Sequence, residues 1–508
     1  MSTYTARSLA LLAAMPAVAL AQATFTPIGD LPGPPFASAA VAVSADGSVV
    51  VGTGDAPYLS TGQAARWTAA TGWVGLGDLP GGAFLSVATD VSADGAVICG
   101  NGTTVAWVPF VPQEAFVWTA SGGMVGIGGL VSPVNSRADA ISDDGTTIVG
   151  VSTTAGGSEA FRWTHATGMV SLGDLPGGLD YSRATSVSAD GSVIVGYSSS
   201  SAAPNYEAFR WTAATGMVPL GLPAGADTSR AQYVTPDGRI VVGSPDGPNL
   251  NEAFRWSAAS GTVGLGPTSG GSVSAIDARA CDALGGVVIG NTTWSNIQQG
   301  MIWTPAFGFA NLHATLIGNG ATQAAGWSLS AYDITPDGRT VVGAGINPGG
   351  QTEAWIATLP PLGPRSFCTA GTTSNGCQAS IASSGLPSAS ESSGFVISVS
   401  SLEGQRAAVI FYGTSNAGFT PTPWGASTSY MCVKAPRQRT HPQNSGGTAG
   451  QCNGAIALDW NAFAASSPNA LGAPFSAGAT CYAQAWFRDP PSPKATQLSN
   501  ALQFVLAP

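Results

Sequence analysis

Residues 159–198 read EAFRWTHATGMVSLGDLPGGLDYSRATSVSADGSVIVGYS. Four β-like runs follow one another in this stretch. The run EAFRWT is joined to GMVSLG across Gly168, five residues after Trp163, and Ala184 to Ser188 is joined to Val193 to Gly196 across Asp190-Gly191. An Asp-Gly pair between alternating β-formers marks a hairpin, because both turn positions tolerate positive φ. No helical period runs through the stretch.

The same pattern recurs along the chain. The glycine that ends its last run falls at Gly52, Gly100, Gly150, Gly196, Gly243, Gly290 and Gly343, at spacings of 46 to 53 residues. Six residues before it stands the Asp of an Asp-Gly pair, except in the sixth unit, where Leu284-Gly285 takes its place. Four antiparallel strands per unit, repeated seven times, predict an all-β, seven-bladed β-propeller. The seventh unit lacks a fourth strand, since after Trp355 the chain runs into TLPPLGPRSF. Phe25 to Gly29, followed by DLPG, repeats the form of Trp73 to Gly77. The N-terminal strand is therefore predicted to complete the last blade, closing the ring and removing a free edge.

Composition agrees with a turn-rich, exported protein. The 508 residues include 68 Gly and 35 Pro; 44% are hydrophobic and 9% charged, which excludes a disordered polyampholyte. A net charge of −10, with Lys434 and Lys494 the only lysines, argues against a nucleic-acid partner. Arg7, the apolar run Leu9 to Leu20 and the small residues around Ala21 to Ala23 read as a signal peptide over 1–23. No later run is long enough to span a membrane as a helix, so the mature chain is expected to be secreted or to sit at the cell surface without a transmembrane segment.

The combination GDLPGG, SADGSVIVG, EAFRWT and GMVxLG closely resembles the HAF family of extracellular repeats over roughly residues 24–360. That resemblance implies secretion and a β-rich repeat, and supplies no reaction and no catalytic residue. TPDGRIVVG and TPDGRTVVG also resemble the hairpin repeats of other bacterial propellers. The domain plan is thus a propeller over 24–362 and a second domain over 363–508. The second domain resembles a Cys-containing module at the C-terminal end of some secreted bacterial repeat proteins, through FCTAGTTSNGCQASIASSG, FYGTSNAG, SYMCVKAPRQR and AQAWFRDP. Its strand-like runs and turn residues predict a small β-sandwich-like fold. Five of the seven cysteines fall in it. Cys368 and Cys377 are predicted to pair, closing a short loop worth about 2–3 kcal/mol.

The repeated residues read first as structure. A tryptophan recurs at Trp67, Trp118, Trp163, Trp211, Trp256 and Trp303, predicted to be buried between blades. Gln or Glu stands four residues earlier and is expected to hydrogen-bond a nearby loop, and the Asp-Gly carboxylates are expected to serve their own turns. No catalytic motif, metal-ligand spacing or cofactor signature is present.

Recognition is expected on the rim that carries the long, varied loops. Aromatic candidates there are Trp107, Tyr181, Tyr206, Trp294 and Trp327. Thirteen residues before the repeat glycine lie Arg137, Arg183 and Arg230, predicted to gather on one arc of the channel mouth as an anion-binding patch; pairing with acids such as Asp139 is the competing expectation. The leading functional reading is a non-enzymatic binding or scaffold protein whose ligand is an extracellular polysaccharide or a surface protein. The alternatives are a carbohydrate-active hydrolase or lyase, with Asp277 and Asp282 of the irregular sixth unit as its acids, and a purely structural surface-layer component.

Overall fold

The computed structural model describes residues 22–508 except 33–36, 55–61, 82–84, 105–111, 204, 246–251, 259, 267–274, 295–296, 305–307, 361–363, 385–386, 388–391, 417–418, 425–427, 477–478, 493 and 507–508. Two compact units emerge, Ala23–Leu362 and 363–508. Residues 1–21, the bulk of the expected signal peptide, and Trp107 lie outside the described residues.

Within Ala23–Leu362 the described strands form seven four-stranded antiparallel sheets. The fourth is representative: Ser182–Val187, Val193–Ser198, Glu207–Thr212 and Gly216–Pro219 follow in chain order. Its hairpin turn places Gly191 at φ +69°, and Asp190 accepts from the Ser192 amide and the Ser188 hydroxyl, so the carboxylate serves the turn. In the seventh sheet, Thr24–Pro27 pairs antiparallel with Thr352–Thr358, with Phe25 opposite Ala357. Phe25 also packs edge-on against Trp327, 5.2 Å between ring centres.

The first strand of each sheet packs against the first strand of the next, and Ser328–Ile334 of the seventh packs against Ser38–Val43 of the first. A serine stitches neighbours together. Ser182 Oγ accepts from the Ala160 amide and donates to the Gly173 carbonyl of the preceding sheet, and Ser38 does the same with Ala354 and Gly29.

Every first strand carries a β-bulge at one position, between Ala184 and Ser186 in the fourth sheet and between Ala331 and Asp333 in the seventh. This explains the repeat glycine. A Cβ on Gly196 would lie 2.0 Å from the Arg183 carbonyl oxygen of the bulged strand, and Gly243 would also meet the Phe254 ring at 2.6 Å.

The aromatic core differs from expectation. The fully buried rings are Phe116, Phe161, Phe209, Phe254 and Trp355, two residues before the tryptophan position, whereas Trp67, Trp118, Trp163, Trp211 and Trp256 are only half-buried. Trp303 alone of the six is buried as expected, its indole donating to the Leu265 carbonyl. Phe254 pairs directly across from Gly243 and its ring takes the space the missing side chain leaves, and Phe209 stands in the same register opposite Gly196; the tryptophan lies one pleat nearer the turn. The sixth unit compensates for its lost turn aspartate. Asp282 occupies the position of Ser188 and its Oδ1 accepts from the Gly286 and Val287 amides. One element was not foreseen: after Gly308–Asn311 a helix, Leu312–Gly318, starts at Asn311, whose side chain accepts from the Ala314 amide, and buries Leu312 and Leu316.

In residues 363–508 two antiparallel sheets enclose one core, and a separate short pair joins Thr422–Pro423 to Tyr430–Met431. Arg365–Phe367, Thr496–Val505, Thr480–Arg488, Ala407–Gly413, Gln438–Arg439 and Gln443–Asn444 make the larger; Ser380–Ser384, Val396–Leu402 and Gly454–Asp459 make the smaller. Ile397, Val399 and Ile456 of one meet Ile410, Phe487 and Phe504 of the other around Trp460.

The predicted Cys368–Cys377 pairing is incorrect. Cys368 bonds to Cys432 and Cys377 to Cys452, with Cα separations of 6.3 and 5.2 Å. The cause is local: Cys377 closes a tight turn, its carbonyl accepting from the Thr373 amide and its own amide donating to Thr373 Oγ1. The two cysteines therefore lie at different places, Cys377 at the end of that turn and Cys368 before it, and each meets a different partner. Cys481 is free and buried. Two such bridges fit an oxidising compartment, and among the described residues no helix is long and apolar enough to cross a membrane.

Candidate ligand site

The first strands of all seven sheets line a cavity of about 760 Å³. Alternation along a strand would aim only every second residue into it. The bulge changes this, because the residue after the bulged one also turns inward. Side chains therefore reach the cavity in three layers: one from Arg183-like positions, one from Thr185-like positions and one from Ser186-like positions.

The outermost layer is cationic. Arg137, Arg183 and Arg230 all reach the same cavity, on consecutive sheets, as does Asp277 in the sixth. Their environments differ. Arg183 makes a bidentate pair with Asp139, Nε to Oδ2 at 2.7 Å and Nη2 to Oδ1 at 2.6 Å, which holds the guanidinium firmly protonated. Arg137 is exposed. Arg230 lies over two rings, 4.5 Å from the centre of Tyr206 and 5.5 Å from that of Tyr197. Tyr181 joins them, 5.7 Å from Tyr206 and 6.2 Å from Tyr197, and burial pushes its hydroxyl up to about 12. In the second layer Arg279 pairs with Asp277 at 2.5 Å and approaches Tyr332.

The deepest layer holds two half-buried carboxylates. Asp90 accepts from the Val91 amide and, across the junction, from the Ile141 amide; Asp333 accepts from Ile334 and Val43 in the same way. Each carboxylate thus ties its sheet to the next. Burial, aided by the charge of Asp333, raises Asp90 to about 8; burial raises Asp333 to about 7. The sign follows from linkage: the native state holds protons that the unfolded chain releases near pH 4, so this contribution is complete below that pH and is lost as pH rises through 7 to 8. The expected slope is at most about 1.4 kcal/mol per pH unit for each carboxylate. The thermal midpoint should fall between pH 5.5 and 8.5 at constant ionic strength, and an Asp90→Asn/Asp333→Asn variant should flatten that fall.

Of the aromatic candidates, Tyr206 lies under Arg230 and Tyr181 packs against Tyr206, while Trp327 does not belong to the rim. It is 8% exposed and packs with Phe25, Leu312 and Leu316, because the unforeseen helix folds its apolar side over it. Trp294 ends the strand Val288–Trp294, and its side chain lies outside the described residues. Asp277 and Asp282 do not meet: the first faces the cavity and the second is buried in its turn. Sequence reasoning missed Tyr197, Arg279, Tyr332, Asp90 and Asp333. The signal available for Tyr197 was its place directly after the repeat glycine, where Asn101 and Asn291 bond the next sheet's first strand.

No family model and no curated protein matches the chain. Among solved structures it is similar to TolB from Acinetobacter baumannii, at 12% identity and a TM-score of 0.38, over 51% of this chain and 62% of that one. It is also similar to an oligogalacturonate lyase in complex with manganese, at 13% identity and 0.43, over 67% and 97%. A third is the β-propeller domain of the Trilobed protease from Pyrococcus furiosus, at 10% identity and 0.42, over 63% and 94%. The chain spans about three fifths of the TolB length.

Proposed function

We propose that residues 24–362 are a closed, seven-bladed propeller of the HAF repeat type, exported by the 1–23 leader, and that the protein binds acidic saccharides at the arginine-bearing mouth of its cavity without transforming them. The observation that carries this reading is the grouping of exposed Arg137 with Arg230 stacked on Tyr206 and Tyr197. A guanidinium fork matches a carboxylate, and the tyrosine rings offer apolar faces and hydroxyls to a sugar. Arg183 is already matched by Asp139, so its role is to brace the mouth.

Titration calorimetry with short alginate oligosaccharides tests this. Arg137→Ala and Arg230→Ala are each expected to weaken binding about tenfold, the loss of one charge-assisted contact of about 1.4 kcal/mol. The oligosaccharides should be recovered at their original length. Shortened products would favour the hydrolase or lyase instead, and equal affinity in both variants would remove the mouth from consideration.

A further inference from the structure

The unit formed by residues 363–508 differs in charge from the rest of the chain. It carries seven of the 18 Lys and Arg but four of the 28 Asp and Glu. Its described acids are engaged internally. Glu403 pairs with Arg406, Asp459 caps the helix Trp460–Ser466 by accepting from the Ala462 amide, and buried Asp489 accepts from the Ser374 hydroxyl.

The strand Thr480–Arg488 separates two faces. Cys481, Ala483, Ala485 and Phe487 enter the core, while Tyr482 and Trp486 point to the opposite side. On that side Trp486 lies between two guanidiniums, with Arg439 at 5.9 Å and Arg488 at 5.8 Å from its ring centre. The stripe continues next door. Thr496 pairs with Arg488 and accepts from the Trp424 indole at 3.1 Å, and Lys494 sits 4.2 Å from the Trp424 ring centre. Arg439, Arg488 and Lys494 are exposed. Among the described residues no carboxylate pairs with any of the three.

We propose that this cation–indole stripe docks an extended carboxylated polysaccharide. The rings orient the cations and leave their outward N–H groups for carboxylates. Two of the cations stand on strands of one sheet, Arg439 on Gln438–Arg439 and Arg488 on Thr480–Arg488, and Lys494 follows in the turn that leads into Thr496–Val505, so several carboxylates of one polymer can be engaged at once. Three cations on a protein of net charge −10 do not suit a nucleic acid, whose binding grows with the number of phosphates neutralised. The stripe lies outside the cavity of residues 24–362, so the inference does not depend on the mouth as a binding site.

The test is affinity electrophoresis of the full chain in gels containing long-chain alginate. It uses an Arg137→Ala/Arg230→Ala background so that the cavity mouth cannot account for retardation. Retardation is expected to persist in that background. It should weaken at least tenfold on adding Arg439→Gln, Arg488→Gln and Lys494→Gln, with an intermediate loss for Arg488→Glu alone and no change in the unfolding transitions. Loss of retardation in the background itself would overturn the stripe while supporting the mouth. Undiminished retardation in the combined variant would overturn it too, as would equal retardation by DNA at the same salt. Salt-sensitive self-association without polymer, abolished by the same substitutions, would assign the stripe to a second copy of the chain and also defeat the proposal.

Discussion

Gly196→Ala is expected to lower the unfolding free energy of residues 24–362 by about 3 kcal/mol, at the upper end for the insertion of a single methyl group. The added Cβ would stand 2.0 Å from the Arg183 carbonyl oxygen and 2.9 Å from the Ala184 Cα, both backbone atoms of the bulged strand. That strand has little freedom to retreat. Ser182 fastens it to the preceding sheet, and Thr185 Oγ1 donates to the Ala231 carbonyl of the following one. Gly168→Ala supplies the contrast: φ there is +66°, nothing lies within 4 Å of the added atom, and the expected cost is about 1 kcal/mol of backbone strain. Chemical denaturation of the two variants separates these cases. Equal losses would show that positive φ alone matters and that the close approach is relieved by movement of the strand.

The same contact explains why so much of the fold can be read from one glycine. The added atom would approach a backbone oxygen to 1.9 Å at Gly52 and Gly150 and to 2.1 Å at Gly243, so each sheet imposes the same exclusion. A steric requirement of that strength leaves a mark in every unit, as do the turn carboxylates. The tryptophan is equally regular yet was misjudged in every unit but the sixth, where Trp303 is buried. Regularity shows that a position is constrained; it does not show whether the ring lies in the centre of a junction, as Phe209 does, or near its rim, as Trp211 does.

The ligand site was less legible because it depends on a backbone irregularity. Arg137, Arg183 and Arg230 could be aligned by counting, and their common cavity follows from the repeat. The deeper layer could not be found that way. Strict alternation would turn Asp90 and Asp333 away from the cavity once Thr89 and Tyr332 face it, and the bulge brings consecutive residues inward together. Pairing with Asp139, the competing expectation for these arginines, holds at Arg183, where the carboxylate comes from the strand Ser136–Ile141 of the preceding sheet. Which of the three arginines it would take needed the relative height of two strands, which no spacing within one unit reports. Trp327 misled for a related reason: its loop was judged by length, while the Leu312–Gly318 helix within it supplies the apolar cover.

Removing the Cys377–Cys452 bridge is expected to destabilise residues 363–508 by up to about 4 kcal/mol, which for a unit of this size lowers the thermal midpoint by roughly 10–15 °C. The bridge closes a separation of 75 residues, and long loops lose the most unfolded-state entropy when tied. The two bridges interleave, since Cys368–Cys432 spans a separation of 64 residues beginning before Cys377 and ending before Cys452. Each therefore shortens the effective loop the other closes. The double variant Cys377→Ser/Cys452→Ser should lose less than the full entropy of a 75-residue loop, and removal of both bridges should cost more than the sum of the two separate removals, because the bridge lost second then closes its full loop. Calorimetry of the full chain is the measurement, with the transition of residues 24–362 as internal reference because neither bridge touches it. Non-reducing peptide mapping checks the connectivity independently. A Cys368–Cys377 peptide, or a variant in which no transition moves, would show that the crossed pairing does not hold this unit together.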